Sequence, residues 1–178
     1  MKRRGSDAER RYRDDPSKSF VGFLVGGVQY AMPIASVREV AKPLPLVELP
    51  HAPHAVVGVA EYRGEVIPVV DLRVRFDQPF APPTRKTKWI VAMVSTRTLA
   101  LVVDSVTEVF GTAGGELRPA PVLGTGDAAR GLAGVTTRSG LVFVLDASRL
   151  AELTEPLVAA GRVGVGVTPS MPVPRGPT

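Results

Sequence analysis

Apolar runs of four to eight residues, rich in Val, Ile and Leu and punctuated by Gly or Pro, recur along the chain as FVGFLV, YAMPI, VIPVVDL, WIVAMV, LALVVDSV and LVFVLD. Runs of that length and composition are those of buried strands. Helical periodicity is scarce: Ala35 to Val40 offers one turn, and Ser148 to Ala160 is the longer helical stretch. The pattern predicts an all-β fold with a short C-terminal helix, and the small helical share argues against a doubly wound α/β sheet. Residues 1–18 lack hydrophobic periodicity and residues 161–178 are dense in Gly and Pro. Neither end can bury enough apolar surface to offset its ordering entropy, so both are expected to be disordered tails. Residues 19–160 are expected to fold as one domain.

An internal repeat sharpens the architecture. Phe20–Val40 and Trp89–Val109 align without a gap at an offset of 69 positions, with Ala31/Ala100, Ser36/Ser105, Val37/Val106, Glu39/Glu108 and Val40/Val109 identical. Each copy reads as a hairpin, with GGVQ and STRT at the turns, and ends in S-V-x-E-V. A second pair follows: Gly58–Arg73 (GVAEYRGEVIPVVDLR) is echoed by Gly134–Arg149 (GVTTRSGLVFVLDASR), again a hairpin whose second strand closes on Asp. Two copies of about five short strands are each too small to stand alone, so two β-barrels sharing one core are the economical packing, and closure hides their edges.

Charge and composition narrow the functional classes. Of the net +5, residues 1–18 carry +3, seven Lys/Arg against four Asp/Glu. The remaining basic residues are scattered without interleaved aromatics, which is not the pattern of a nucleic-acid binder. No cysteine is present, excluding disulfides and thiolate chemistry. The N-terminus is charged where a secretory signal has an apolar stretch, and no run approaches a membrane span, so a cytoplasmic protein without direct membrane insertion is expected.

Candidate chemistry is sparse. Asp71, Asp104 and Asp146 each close an apolar strand, a repetition better explained by capping or turn formation than by an acid/base cluster. His51 and His54 lack a third ligand at metal-site spacing. The glycines of GTGDAARG and GVGVG do not join a strand to a helix as a phosphate cradle requires. No catalytic constellation, cofactor site or metal site is expected. Arg63 sits at a hairpin bend beside Gly64, where a long side chain is presented rather than packed, and a guanidinium with five donors makes a natural interface anchor. The alternative is a surface arginine paired to Glu61 or Glu65.

GVAEYRGEVIPVVDLRVRF resembles the CheW family, whose signature is G-x-x-N-L-R-G followed by a V-x-P-V-V-D-L strand. FLVGGVQYAMPIASVREV is similar to the family's opening hairpin, LALVVDSVTEVF to its second-lobe strand pair, and ELRPAPVLG with GLAGVTTRSGLVFVLDASRL to its closing segment. The resemblance runs from Phe20 to Leu150. It implies two interwoven SH3-like β-barrels and a non-enzymatic adaptor that joins the signalling tip of a methyl-accepting chemoreceptor to the CheW-like regulatory domain of a CheA-type histidine kinase, recruited to receptor arrays. It also implies partner contacts at Gly58, Glu61, Tyr62, Arg63 and Gly64, and at Val37 and Glu39 of the S-V-x-E-V end. Two departures stand out: Glu61-Tyr62 replaces Asn-Leu, and Ala100 replaces the Gly before the L-V-V-D strand, so the partner surface is expected to be adapted. The alternative function is a divergent structural module of a non-chemotactic or DNA-associated assembly.

Overall fold

The computed structural model describes residues 19–111, 117–119, 131–137 and 140–159. Both expected tails lie outside the described residues. Tight turns explain the hairpins. Val25 pairs with Val28 across Gly26-Gly27, both at positive φ, and Val94 pairs with Arg97 across a turn in which Ser95 has φ 56°. Such two-residue turns match the right-handed twist of the strands they join.

The described residues form ten strands: β1 Ser19–Val25, β2 Val28–Pro33, β3 Val37–Ala41, β4 Val56–Tyr62, β5 Glu65–Asp71, β6 Lys88–Val94, β7 Arg97–Val103, β8 Ser105–Gly111, β9 Leu132–Thr137 and β10 Leu141–Leu145. They assemble into two five-stranded sheets ordered β8-β1-β2-β10-β9 and β3-β6-β7-β5-β4. Matching β1–β5 to β6–β10 makes the two orders identical, with each opening hairpin paired to the last three strands of the other repeat. The lobes are therefore interwoven, as expected, and the repeated segments occupy equivalent places. Among the described residues two connections pass between sheets: a 3-10 turn at Ile34–Ser36, and Asp104 alone between β7 and β8.

Helices are short: α1 Leu72–Arg75, α2 Ala147–Glu152 and α3 Glu155–Ala159. The C-terminal helical stretch is thus two pieces broken at Leu153-Thr154. The expected turn at Ala35–Val40 is confined to Ile34–Ser36, because Val37–Ala41 instead extends as β3 beside β6. Asp71 and Asp146 cap α1 and α2, accepting from the N–H groups of Arg73 at 2.7 Å and Ser148 at 2.9 Å. That is the capping role expected of them.

Among the described residues β3 does not pair with β4, nor β8 with β9, so the sheets are SH3-like in strand order without full closure by pairing. A strap instead lies along the outer edge of each terminal strand. Val47 exchanges hydrogen bonds of 2.8 and 2.9 Å with Val59, and Arg118 does the same with Val135 at 2.9 and 2.8 Å. Gly58 and Gly134 make this approach possible: a Cβ on Gly58 would collide with the Val47 carbonyl oxygen, and one on Gly134 with that of Arg118.

The core has three parts. Phe23, Met32, Val70, Ile90, Leu101, Leu145 and Leu150 belong to one cluster drawn from both sheets. Trp89, Val91, Tyr62, Ile67 and Val69 fill one lobe, and Phe20, Ala31, Phe110 and Val144 fill the other. Successive residues of β6 point alternately into the shared core and into their own lobe. FVGFLV and WIVAMV are apolar at nearly every position because both faces are covered.

Candidate partner-binding site

The β4–β5 hairpin is built around Arg63. Tyr62 and Glu65 close the ladder, leaving Arg63 and Gly64 as a two-residue turn with φ 54° and 81°. Both values are positive, the type I′ pattern in which glycine is easy and arginine unusual. A strained backbone thus presents a side chain that is 65% exposed. Its partner is neither Glu61 nor Glu65, its neighbours in sequence, but Glu39 of β3, whose Oε2 receives the Arg63 Nη2.

Alternation along β4 separates two residues that the sequence places side by side. Tyr62 turns inward and is 4% exposed, in the cluster with Trp89 and Ile67. Glu61 faces outward, opposite the exposed Val66. The Tyr62 ring is therefore not offered to a partner; its hydroxyl donates to Glu39 Oε2 at 2.8 Å. One carboxylate oxygen takes both the phenol and the guanidinium, orienting Arg63 from below. The guanidinium carbons of Arg63 and Arg38 lie 5.2 and 5.9 Å from the Tyr62 ring centroid, within cation–π range. Burial, and then the bond to Glu39, holds the Tyr62 phenol above its ordinary titration range. It stays a donor at neutral pH.

The other candidates fall apart in space. Val37, two residues before Glu39, is half-buried and packs on the shared core. Gly58 serves the Val47 strap, and Gly64 is open turn backbone with nothing near its absent side chain. Arg38 was missed because it fills the variable position of S-V-x-E-V; in the second copy that place is Thr107. Asp104 does more than the capping or turn formation expected of it. Both its oxygens accept from Arg73, Nε to Oδ1 at 2.6 Å and Nη2 to Oδ2 at 2.7 Å, and Oδ2 also accepts the Gly26 N–H at 2.8 Å.

Chemically, the Arg63 site can bind but shows no nucleophile beside a base. Among the described residues no group of three or more His, Cys, Asp or Glu could hold a metal ion, and no helix is long and apolar enough to cross a membrane.

Comparison with known proteins agrees with the fold. The model of the CheW-like domain matches residues 19–155. The chain is 35% identical over 104 residues to a chemotaxis protein CheW of Rhizobium meliloti, covering 58% of this chain and 67% of that one. It is 29% identical to the CheW of Helicobacter pylori over 57% of this chain and 62% of that one, so it spans about two thirds of the length of these two relatives. Protein FrzA of Myxococcus xanthus is 32% identical over 70% of this chain and 78% of its own. Among solved structures, the scaffolding protein TtCheW of Thermoanaerobacter tengcongensis superposes with a TM-score of 0.64 at 26% identity, covering 73% of this chain and 84% of that one.

Proposed function

Because the chain belongs to the CheW-like family, we propose that it is a non-enzymatic adaptor that couples the signalling tip of a chemoreceptor to the regulatory domain of a CheA-type histidine kinase. In this reading it acts in the cytoplasm and is recruited to receptor arrays. The observation that carries it is the Arg63 guanidinium, held outward on a left-handed turn by a carboxylate that the buried Tyr62 hydroxyl steadies. Preorganisation matters here. An exposed arginine loses side-chain entropy on docking, and one already oriented loses less, so more of the contact survives as affinity. Glu61, outward beside it, adds a negative charge that suits a basic residue on the partner.

Reconstitution tests the reading. Kinase, receptor tip and this chain should form a ternary complex in which omission of the chain uncouples kinase from receptor. If kinase and receptor associate equally without it, or if neither binds it, the adaptor reading fails.

A further inference from the structure

Outside the Arg63 site, the most conspicuous side chain is Phe80. Phe20, Phe23, Phe76 and Phe110 are each at most 8% exposed, whereas Phe80 is 90% exposed. It stands on the connection between α1 and β6, at the opposite end of β5 from the Arg63 turn.

Two features show that this exposure is built. The loop is pinned on both sides of Phe80: Arg73 Nη1 holds the Pro79 carbonyl at 2.9 Å, and beyond it Thr84 N–H donates to Thr87 Oγ1 at 2.8 Å while Lys86 N–H donates to Thr84 Oγ1 at 3.1 Å. Pro79, Pro82 and Pro83 fix φ around it, which limits the conformations the ring could use to fold back. The segment that follows the ring is also of one sign, although the exposed Asp77 precedes it. From Pro79 to Lys88 there are three basic residues and no acidic one, with Arg85 and Lys86 exposed.

From this juxtaposition we infer that the Phe80 loop is a second docking surface, for an acidic protein segment that inserts an apolar side chain against the ring and lays carboxylates along Arg85 and Lys86. A large rigid ring that gains burial only on association is the usual chemistry of an interface anchor. The basic flank selects the sign of the partner and speeds its approach. The inference does not depend on the Arg63 reading, since the two surfaces share no residue.

A peptide array tests it, with the full chain as analyte. Peptides of about a dozen residues carrying one Leu or Phe among Asp and Glu are compared with versions bearing Lys and Arg, and with versions whose apolar residue is Ser. The acidic apolar set should bind, weakening as salt rises from about 0.05 to about 0.5 M. Binding should fall about tenfold or more in F80S and in the R85E/K86E double variant, both with unchanged thermal melts. Equal binding by the variants, equal binding of basic peptides, or no binding at all overturns the inference. So do two other outcomes: preferential binding to phosphatidylserine vesicles, which assigns the loop to a membrane surface, and a dimer abolished by F80S, which assigns it to a second copy of the chain.

Discussion

Replacing Arg73 with Ala should destabilise the fold through the connection between β7 and β8. Asp104 is the only residue between those strands, and it is where the chain passes from one sheet to the other. Its N–H donates to the Leu24 carbonyl at 3.0 Å, its carboxylate accepts from the Gly26 N–H, and both oxygens are engaged by Arg73 of α1. That bond to Asp104 is also the chief reason the Arg73 guanidinium sits above its ordinary value. Breaking a fully buried pair costs about 3–5 kcal/mol, while exposed pairs contribute roughly 0–1. At 22% and 29% side-chain exposure this pair lies between, so about 2 kcal/mol is expected, or roughly 5–8 °C in Tm for a domain of this size. Arg73→Lys should recover less than half, since an ammonium cannot engage both oxygens as a planar fork does. The assay is a double-mutant cycle, Arg73→Ala with Asp104→Ala, by urea denaturation. A coupling energy below about 0.5 kcal/mol would refute the reasoning and make the pair an ordinary surface contact.

The Tyr62 hydroxyl should matter more to binding than to packing. Tyr62→Phe keeps the ring in its cluster, costs about 1 kcal/mol in a denaturation curve, and weakens partner binding by freeing Glu39 and Arg63. An absorbance titration should find two phenols, Tyr30 and Tyr62, ionising above the ordinary value of 10.0, both chiefly because they are buried. The folded state then holds protons that the unfolded chain has released, so the stability they confer is complete below pH 10 and is lost as pH rises through their folded values; stability constant through that range contradicts this. Gly58→Ala and Gly134→Ala should each cost about 2 kcal/mol by driving a methyl group into the strap carbonyls, measured by thermal melts, and a neutral result would show that the straps move aside.

Much of the architecture is legible in the chain, for a physical reason. Strands apolar on both faces and a 69-residue repeat already imply a duplicated, fully covered β structure. Local pattern cannot say which copy a hairpin pairs with, because strands of both repeats offer equivalent apolar surfaces; the exchange of hairpins emerges only when Ile34–Ser36 and Asp104 carry the chain across. The straps were invisible too, since Leu46-Val47 and Leu117-Arg118 share only one residue and no strand-like run. At the candidate site, the bend and the outward Arg63 follow from Gly64. The partner Glu39 does not: it is 24 residues away, and nothing local distinguishes it from Glu61 or Glu65. The resemblance implies a partner contact at Tyr62 as at Glu61, whereas period-two alternation buries Tyr62 once Ala60 is known to face inward.

The central claim rests on Arg63, and calorimetric titration of wild type and Arg63→Ala into the kinase regulatory domain and the receptor tip tests it most directly. Truncating an interface arginine costs about 2 kcal/mol, roughly thirtyfold in affinity. A side chain this exposed contributes under about 1 kcal/mol to folding, so a parallel melt should shift by no more than about 3 °C. The account predicts that binding to at least one partner weakens by that factor while the fold stands. Wild-type affinity for both partners, or loss of binding only alongside early melting, would contradict it.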